Sequence, residues 1–162
     1  MLKSIDTSTR PSASLSINPE RSRRVDIFID GASRGNPGPS GIGIVFTNDK
    51  NNVVKKLFKF IGDTTNNVAE YSALIYALQE ALIDRYENVR IKSDSELLTK
   101  QLTGEYRVKN ENLRLYDDLF LHISRGFNKI EVIGIKREDN LLADKLANKA
   151  IDSRFDSSLK ME

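Results

Sequence analysis

Four carboxylates, Asp30, Glu70, Asp94 and Asp144, lie far apart in the chain but at comparable points of it, where strands end or helices begin. Asp30 closes Val25-Asp26-Ile27-Phe28-Ile29-Asp30-Gly31, which reads as a strand with apolar residues at 25, 27 and 29. An acid at the end of a buried strand is costly to hold unless something pairs with it. Four such groups brought within a few ångströms would repel and raise one another's pKa. A hard divalent cation resolves that conflict, because carboxylate oxygens suit Mg²⁺ or Mn²⁺. Two ions about 4 Å apart can activate a water and stabilise a leaving oxygen in phosphodiester cleavage. Each acid alone has a plainer reading. The chain holds 23 Asp and Glu residues, so acids at helix starts are ordinary caps, and Asp30-Gly31 is also a turn sequence.

The elements that must position these acids follow from pattern. Three strands are expected at about 25–30, 41–47 and 53–61, joined by turns such as Asn48-Asp49-Lys50-Asn51-Asn52. Residues 66–84 read as the longest helix, with apolar residues at 71, 74, 75, 78, 81 and 82, and with Glu70 in or near its first turn. Thr64, Thr65 and Asn66 are its N-cap candidates. Val89–Ser93 is a short strand ending at Asp94, and a helix at about 95–103 stops at Gly104. A helix over 111–125 buries Leu113, Tyr116, Leu119, Phe120 and Ile123. A strand over 129–135 precedes a last helix over 140–151, with Leu142, Leu146 and Ala150 aligned and Asp144 early in it. The expectation is an α/β fold: a mixed five-stranded sheet, three antiparallel strands followed by alternating helix and strand, with helices on both faces. Glycines 35–43 lack Gly-Lys-Ser/Thr and fall between strands, so they are not a phosphate-binding P-loop.

Charge is unevenly spread. Residues 1–24 hold five basic residues, two acids and eight Ser or Thr, whereas 25–162 are close to neutral. This predicts a flexible tail over 1–24, a folded domain over 25–151 that carries the four acids, and a C-terminal tail over 152–162. Arg21, Arg23 and Arg24 are candidates to touch phosphates. The tail composition also fits an organelle transit peptide, a minor alternative to a cytoplasmic location. The chain has no cysteine, which excludes disulfides and thiolate metal sites and suits a reducing compartment. No apolar run approaches membrane-spanning length, and no obligate protein partner is implied.

The text around the four acids narrows the chemistry. Asp30-Gly31-Ala32-Ser33-Arg34-Gly35-Asn36-Pro37-Gly38-Pro39 resembles the opening signature of type 1 ribonuclease H. Thr64-Thr65-Asn66-Asn67-Val68-Ala69-Glu70-Tyr71, Ser93-Asp94-Ser95 and Glu138-Asp139-Asn140-Leu141-Leu142-Ala143-Asp144 are similar to its remaining motifs, in the same order. The resemblance spans residues 25–151. It implies an endonuclease that cuts the RNA strand of RNA–DNA hybrids and leaves 5′-phosphate and 3′-hydroxyl ends, with two Mg²⁺ ions as cofactor and Mn²⁺ as a substitute. Asp30, Glu70, Asp94 and Asp144 would then be the metal ligands and catalytic residues, with Asp30 bridging. Asn36, Thr65, Asn66, Asn67 and Asn140 would contact the hybrid, for which amides and hydroxyls suit 2′-OH groups and minor-groove edges. Asn66 as an N-cap and Asn36 as a turn residue are the plainer alternatives.

The chain departs from the family pattern in three places. The loop before Asp144 is Lys136-Arg137-Glu138-Asp139-Asn140, without the histidine many members carry. The only histidine, His122, is expected on a helix surface. Proton transfer is left to solvent, a phosphate oxygen or Glu138. The glutamine after Asp94-Ser95 is replaced by Glu96, which could repel phosphate. Tyr106-Arg107-Val108-Lys109-Asn110 stands where some members have a basic helix, either holding the DNA strand or as a plain loop. Rival readings are a non-catalytic hybrid-binding module and a nuclease that also cuts double-stranded RNA.

Overall fold

In the computed structural model, which describes residues 2–6, 23–154 and 158–162, Val25, Ile27 and Ile29 are fully buried on one side of a strand, while Phe28 packs on the other side. Alternation over so few residues requires cover on both faces of the sheet. The elements are β1 (Leu2–Asp6), β2 (Arg24–Ser33), β3 (Gly38–Thr47), β4 (Val53–Thr64), α1 (Asn66–Ile83), β5 (Asn88–Ser93), α2 (Glu96–Leu102), α3 (Glu111–Ser124), β6 (Lys129–Gly134), α4 (Leu141–Asp152) and β7 (Lys160–Met161). The sheet order is β1-β6-β5-β2-β3-β4-β7. β2, β3 and β4 form an antiparallel meander, and β2, β5 and β6 run parallel, as short hairpin links and helical crossovers require.

The sheet has seven strands where five are expected. Both additions are edge strands built from the ends of the chain. Leu2–Asp6 pairs antiparallel with β6, and Lys160–Met161 pairs with Leu57 and Phe58 of β4. Neither carries much apolar periodicity; an open edge offers unpaired N–H and C=O groups, and that backbone pairing makes them strands. Residues 7–22, with most of the Ser-rich stretch and Arg21, lie outside the described residues. Arg23 does not face the acids. It stacks on Tyr86 at 4.5 Å and donates to the Asp84 carbonyl at the end of α1. Arg24 opens β2 six residues before Asp30, roughly 20 Å away along the strand.

Two apolar layers result. The larger joins β2, β3, β5 and β6 to α1, α2 and α3 through Ile27, Ile29, Leu74, Leu78, Ile91 and Phe120. The smaller joins β3 and β4 to α4 through Val45, Phe58, Ala143, Leu146 and Ala150. The caps are local chemistry. Thr65, Ser95 and Asn110 each accept a backbone N–H of the first turn of α1, α2 and α3. The β3–β4 turn closes on Asn48, whose Oδ1 accepts from Lys50 and Asn52. Among the described residues no helix is long and apolar enough to cross a membrane.

Candidate active site

Asp30 is not the end of its strand. It sits within β2, pairs with Gly43 of β3, and is 5% exposed. Glu70 lies one turn into α1, not in its first turn, so its carboxylate stands beside β2. Close approach is what allows this: a Cβ on Gly31 would lie 2.3 Å from the Ala69 carbonyl carbon and 2.4 Å from the Glu70 nitrogen. The bare Gly31 backbone lets the helix touch the strand. Asp94 follows β5, next to β2 on the parallel side. Carboxylate oxygens of Asp30, Glu70 and Asp94 lie within 4.8 Å of one another. Asp144, in the first turn of α4, stands outside that tightest group but interacts with the Asp30 carboxyl.

Burial pushes the Asp30 carboxyl up to about 8, and the charge of Asp94 and the contact with Asp144 push the same way. Burial also raises Glu70 well above the usual carboxylate range, with the charge of Asp30 next. One Glu70 oxygen, Oε2, is buried with no hydrogen-bond partner among the described residues. Desolvated acids that repel, with an orphaned oxygen between them, are costly for the fold unless a cation is bound. An all-oxygen donor set fits a hard divalent ion and not a soft one.

The residues expected to touch substrate divide into two groups. Asn36, Asn66 and Asn67 are exposed beside the mouth of α1. Asn36 Oδ1 accepts the Asn66 backbone N–H at 3.1 Å, which turns its Nδ2 donor outward. The loop carrying Asn36 is held by Ser33, whose hydroxyl donates to the Thr64 carbonyl at 2.9 Å. Thr65 is the N-cap and half-buried, so Asn66 is not the cap. Asn140, by contrast, is 1% exposed and its side chain faces inward.

The departures from the family pattern also take shape. Glu138 is exposed in a single 3₁₀ turn, Arg137–Asp139, and His122 is exposed in the last turn of α3. Glu96 is paired with Lys100 at 2.6 Å, and Lys100 lies 4.9 Å from the centre of the Tyr106 ring and reaches its hydroxyl. The extra carboxylate is therefore answered by a cation, and the basic-aromatic connection is tied to α2. The sequence offers a signal for this in the i,i+4 spacing of Glu96 and Lys100.

A mixed sheet with helices on both faces and a buried acidic centre at the β2–β5 junction defines an α/β protein of the ribonuclease H-like class. The family model described as reverse transcriptase-like matches residues 28–150. Ribonuclease HI of Halobacterium salinarum is 38% identical over 136 residues, covering 84% of this chain and 68% of that protein. The chain belongs to the ribonuclease HI family. A bifunctional protein of Mycobacterium tuberculosis is 39% identical over 137 residues, but the chain spans only 37% of its length. The crystal structure of the Halobacterium salinarum enzyme has a TM-score of 0.78 at 38% identity, covering 80% of this chain and 98% of that one. LC11-RNase H1 in complex with an RNA/DNA hybrid also gives 0.78, at 39% identity over 82% of this chain and 99% of that one.

Proposed function

We propose that the chain is an endoribonuclease that hydrolyses the RNA strand of RNA–DNA hybrids, with residues 25–151 as the catalytic unit. The observation that carries this reading is the Asp30–Glu70–Asp94 cluster, with Asp30 and Glu70 buried, Asp94 half-buried and one Glu70 oxygen orphaned, on a fold shared with a hybrid-bound relative. In this reading Asp30, Glu70, Asp94 and Asp144 would hold two divalent ions, Mg²⁺ or in its place Mn²⁺. Bound there, such ions would supply Lewis-acid polarisation of the phosphate and an acidified water. The chain's own residues do the rest. Glu70 and Asp94 present carboxylate oxygens beside Asp30, and the exposed Asn36, Asn66 and Asn67 set the register of the hybrid. A water attacks phosphorus in line with the 3′-oxygen, which leaves as the 3′-hydroxyl and keeps phosphate on the 5′ side. With no histidine in the loop, the leaving oxygen takes its proton from solvent, a phosphate oxygen or the exposed Glu138.

The outward Nδ2 of Asn36 is a donor, so it matches acceptors present at every base pair of the minor groove and on ribose oxygens. Recognition of this kind is sequence-independent. Asn36→Ala should raise KM for a hybrid about tenfold, the loss of roughly one hydrogen bond to substrate, with a smaller change in kcat. Steady-state kinetics on a labelled hybrid check it; an unchanged KM would remove Asn36 from the contact surface.

The reading needs no protein partner, and the cysteine-free composition suits the cytoplasm. The experiment that tests it is cleavage of an RNA-labelled hybrid with Mg²⁺, Mn²⁺ or EDTA, beside single-stranded RNA, duplex RNA and duplex DNA. Metal-dependent cutting of the hybrid RNA alone is expected. Tight hybrid binding without cutting in either metal would leave a binding module, and cutting of duplex RNA would widen the substrate while keeping the mechanism.

A further inference from the structure

Asn140 directly precedes α4 and occupies its N-cap position, yet its side chain does not cap the helix. Nδ2 instead crosses to β2 and donates to the Ile29 carbonyl at 2.9 Å. The same nitrogen approaches Asp94 Oδ2 at 3.4 Å. The Asn140 carbonyl accepts the backbone N–H of Asp144 at 3.1 Å. One residue thus touches the backbone just before Asp30, the carboxylate of Asp94 and the backbone of Asp144. The amide orientation follows from chemistry: turned over, Oδ1 would face a carbonyl and a carboxylate, and two acceptors repel. Oδ1 is left buried and without a partner among the described residues, so the nitrogen alone justifies keeping an amide in this space.

We infer that Asn140 is a positioning residue for the metal centre, pinning the start of α4 to β2 and β5 so that Asp94 and Asp144 close on Asp30. It is not a contact to the hybrid, because a residue 1% exposed offers nucleic acid no surface. The inference rests on the metal-dependent reading above and assigns its geometry to one side chain outside the four acids. Partners that orient metal ligands act on metal affinity and turnover more than on substrate binding.

The test is calorimetric titration of the full chain with Mn²⁺ in the absence of nucleic acid, paired with steady-state kinetics on a hybrid. For Asn140→Ala, Mn²⁺ affinity and kcat should each fall tenfold or more, with KM for the hybrid within about twofold of the parent. A raised KM with unchanged Mn²⁺ affinity would overturn the inference in favour of a substrate contact. A lowered melting temperature with Mn²⁺ affinity and kcat both unchanged would reduce Asn140 to a space-filling polar residue. If circular dichroism shows that the alanine variant does not fold, Asn140→Ser, a smaller change in the same space, is judged by the same outcomes. The titration needs no substrate, so it reads out even if the hybrid is not cut. A parent protein that fails to bind Mn²⁺ would instead remove the metal reading, and this inference with it.

Discussion

Asp30→Asn is expected to lower hybrid hydrolysis by more than about 10³-fold, since losing even an orienting partner of a metal ligand costs about 10–100-fold. The same change should stabilise the metal-free protein. The Asp30 carboxyl is pushed up to about 8 in the folded chain from 3.8 in the open one. Between those values the folded state holds a proton that the unfolded state has released, so stability falls as pH rises through the window. Above about pH 8 the charge is present in both states and the full cost of burying it remains. Asparagine carries no such cost. In EDTA at pH 8.5 the variant should melt on the order of 5 °C above the parent, because 1 kcal/mol moves a domain of this size by about 2–4 °C. At pH 5 the parent is already protonated when folded, and the gap should shrink. Adding Mg²⁺ or Mn²⁺ should raise the parent's melting temperature more than the variant's. Differential scanning calorimetry at two pH values, with and without metal, reads all of this. A variant that melts lower than the parent at pH 8.5 in EDTA would contradict the electrostatic account of the cluster, whatever happens to activity.

The second large effect is expected at a residue with no side chain. Gly43 pairs with Asp30 across β2 and β3. A Cβ there would lie 2.1 Å from the Ala143 carbonyl oxygen, 2.7 Å from the Ala147 nitrogen and 2.9 Å from the Leu146 Cβ. Two of these are helix backbone, so no flexible chain end can yield. Gly43→Ala must push α4 off the sheet, and Ala143 is the neighbour of Asp144. Overpacking of this kind costs about 3 kcal/mol or more, which corresponds to a melting temperature lower by roughly 6–12 °C. Cleavage measured well below that temperature should also fall, because the displaced helix carries Asp144 away from Asp30. Thermal melts and hybrid cleavage at low temperature check both parts. A melting temperature within about 2 °C of the parent, with normal cleavage, would show that α4 does not rest on Gly43 in solution.

Much of the frame was legible because it is local. Alternation at Val25, Ile27 and Ile29, the helical spacing through Leu74, Leu78 and Ala81, and the turn residues at 48–52 each encode their own element. The order of those elements allowed few topologies, since hairpins give antiparallel neighbours and helical crossovers give parallel ones. Periodicity was less reliable at margins: Leu119 and Leu142, placed on buried faces by spacing, are 39% and 37% exposed. Helical spacing says which residues share a face and not how far the covering layer extends. The edge strands β1 and β7 carried no signal, since what recruits them is open backbone on β6 and β4.

The residue types narrowed the chemistry only together with the motifs around them. Each of the four acids alone reads as an ordinary cap or turn residue, and it is the order of the four motifs that resembles type 1 ribonuclease H. What only the folded chain decided is which atoms meet. It placed Asp30 inside β2, moved Glu70 one turn into α1 and left Asp144 just outside the closest group. It turned Asn36 outward and Asn140 inward, although both are asparagines in loops. It gave Gly31 and Gly43 their meaning, for a glycine read as punctuation in one dimension becomes a point of helix–strand contact in three. The physical reason is range. Propensity and periodicity act over a few residues, whereas burial, repulsion between acids and the fit of one backbone against another depend on groups tens of residues apart.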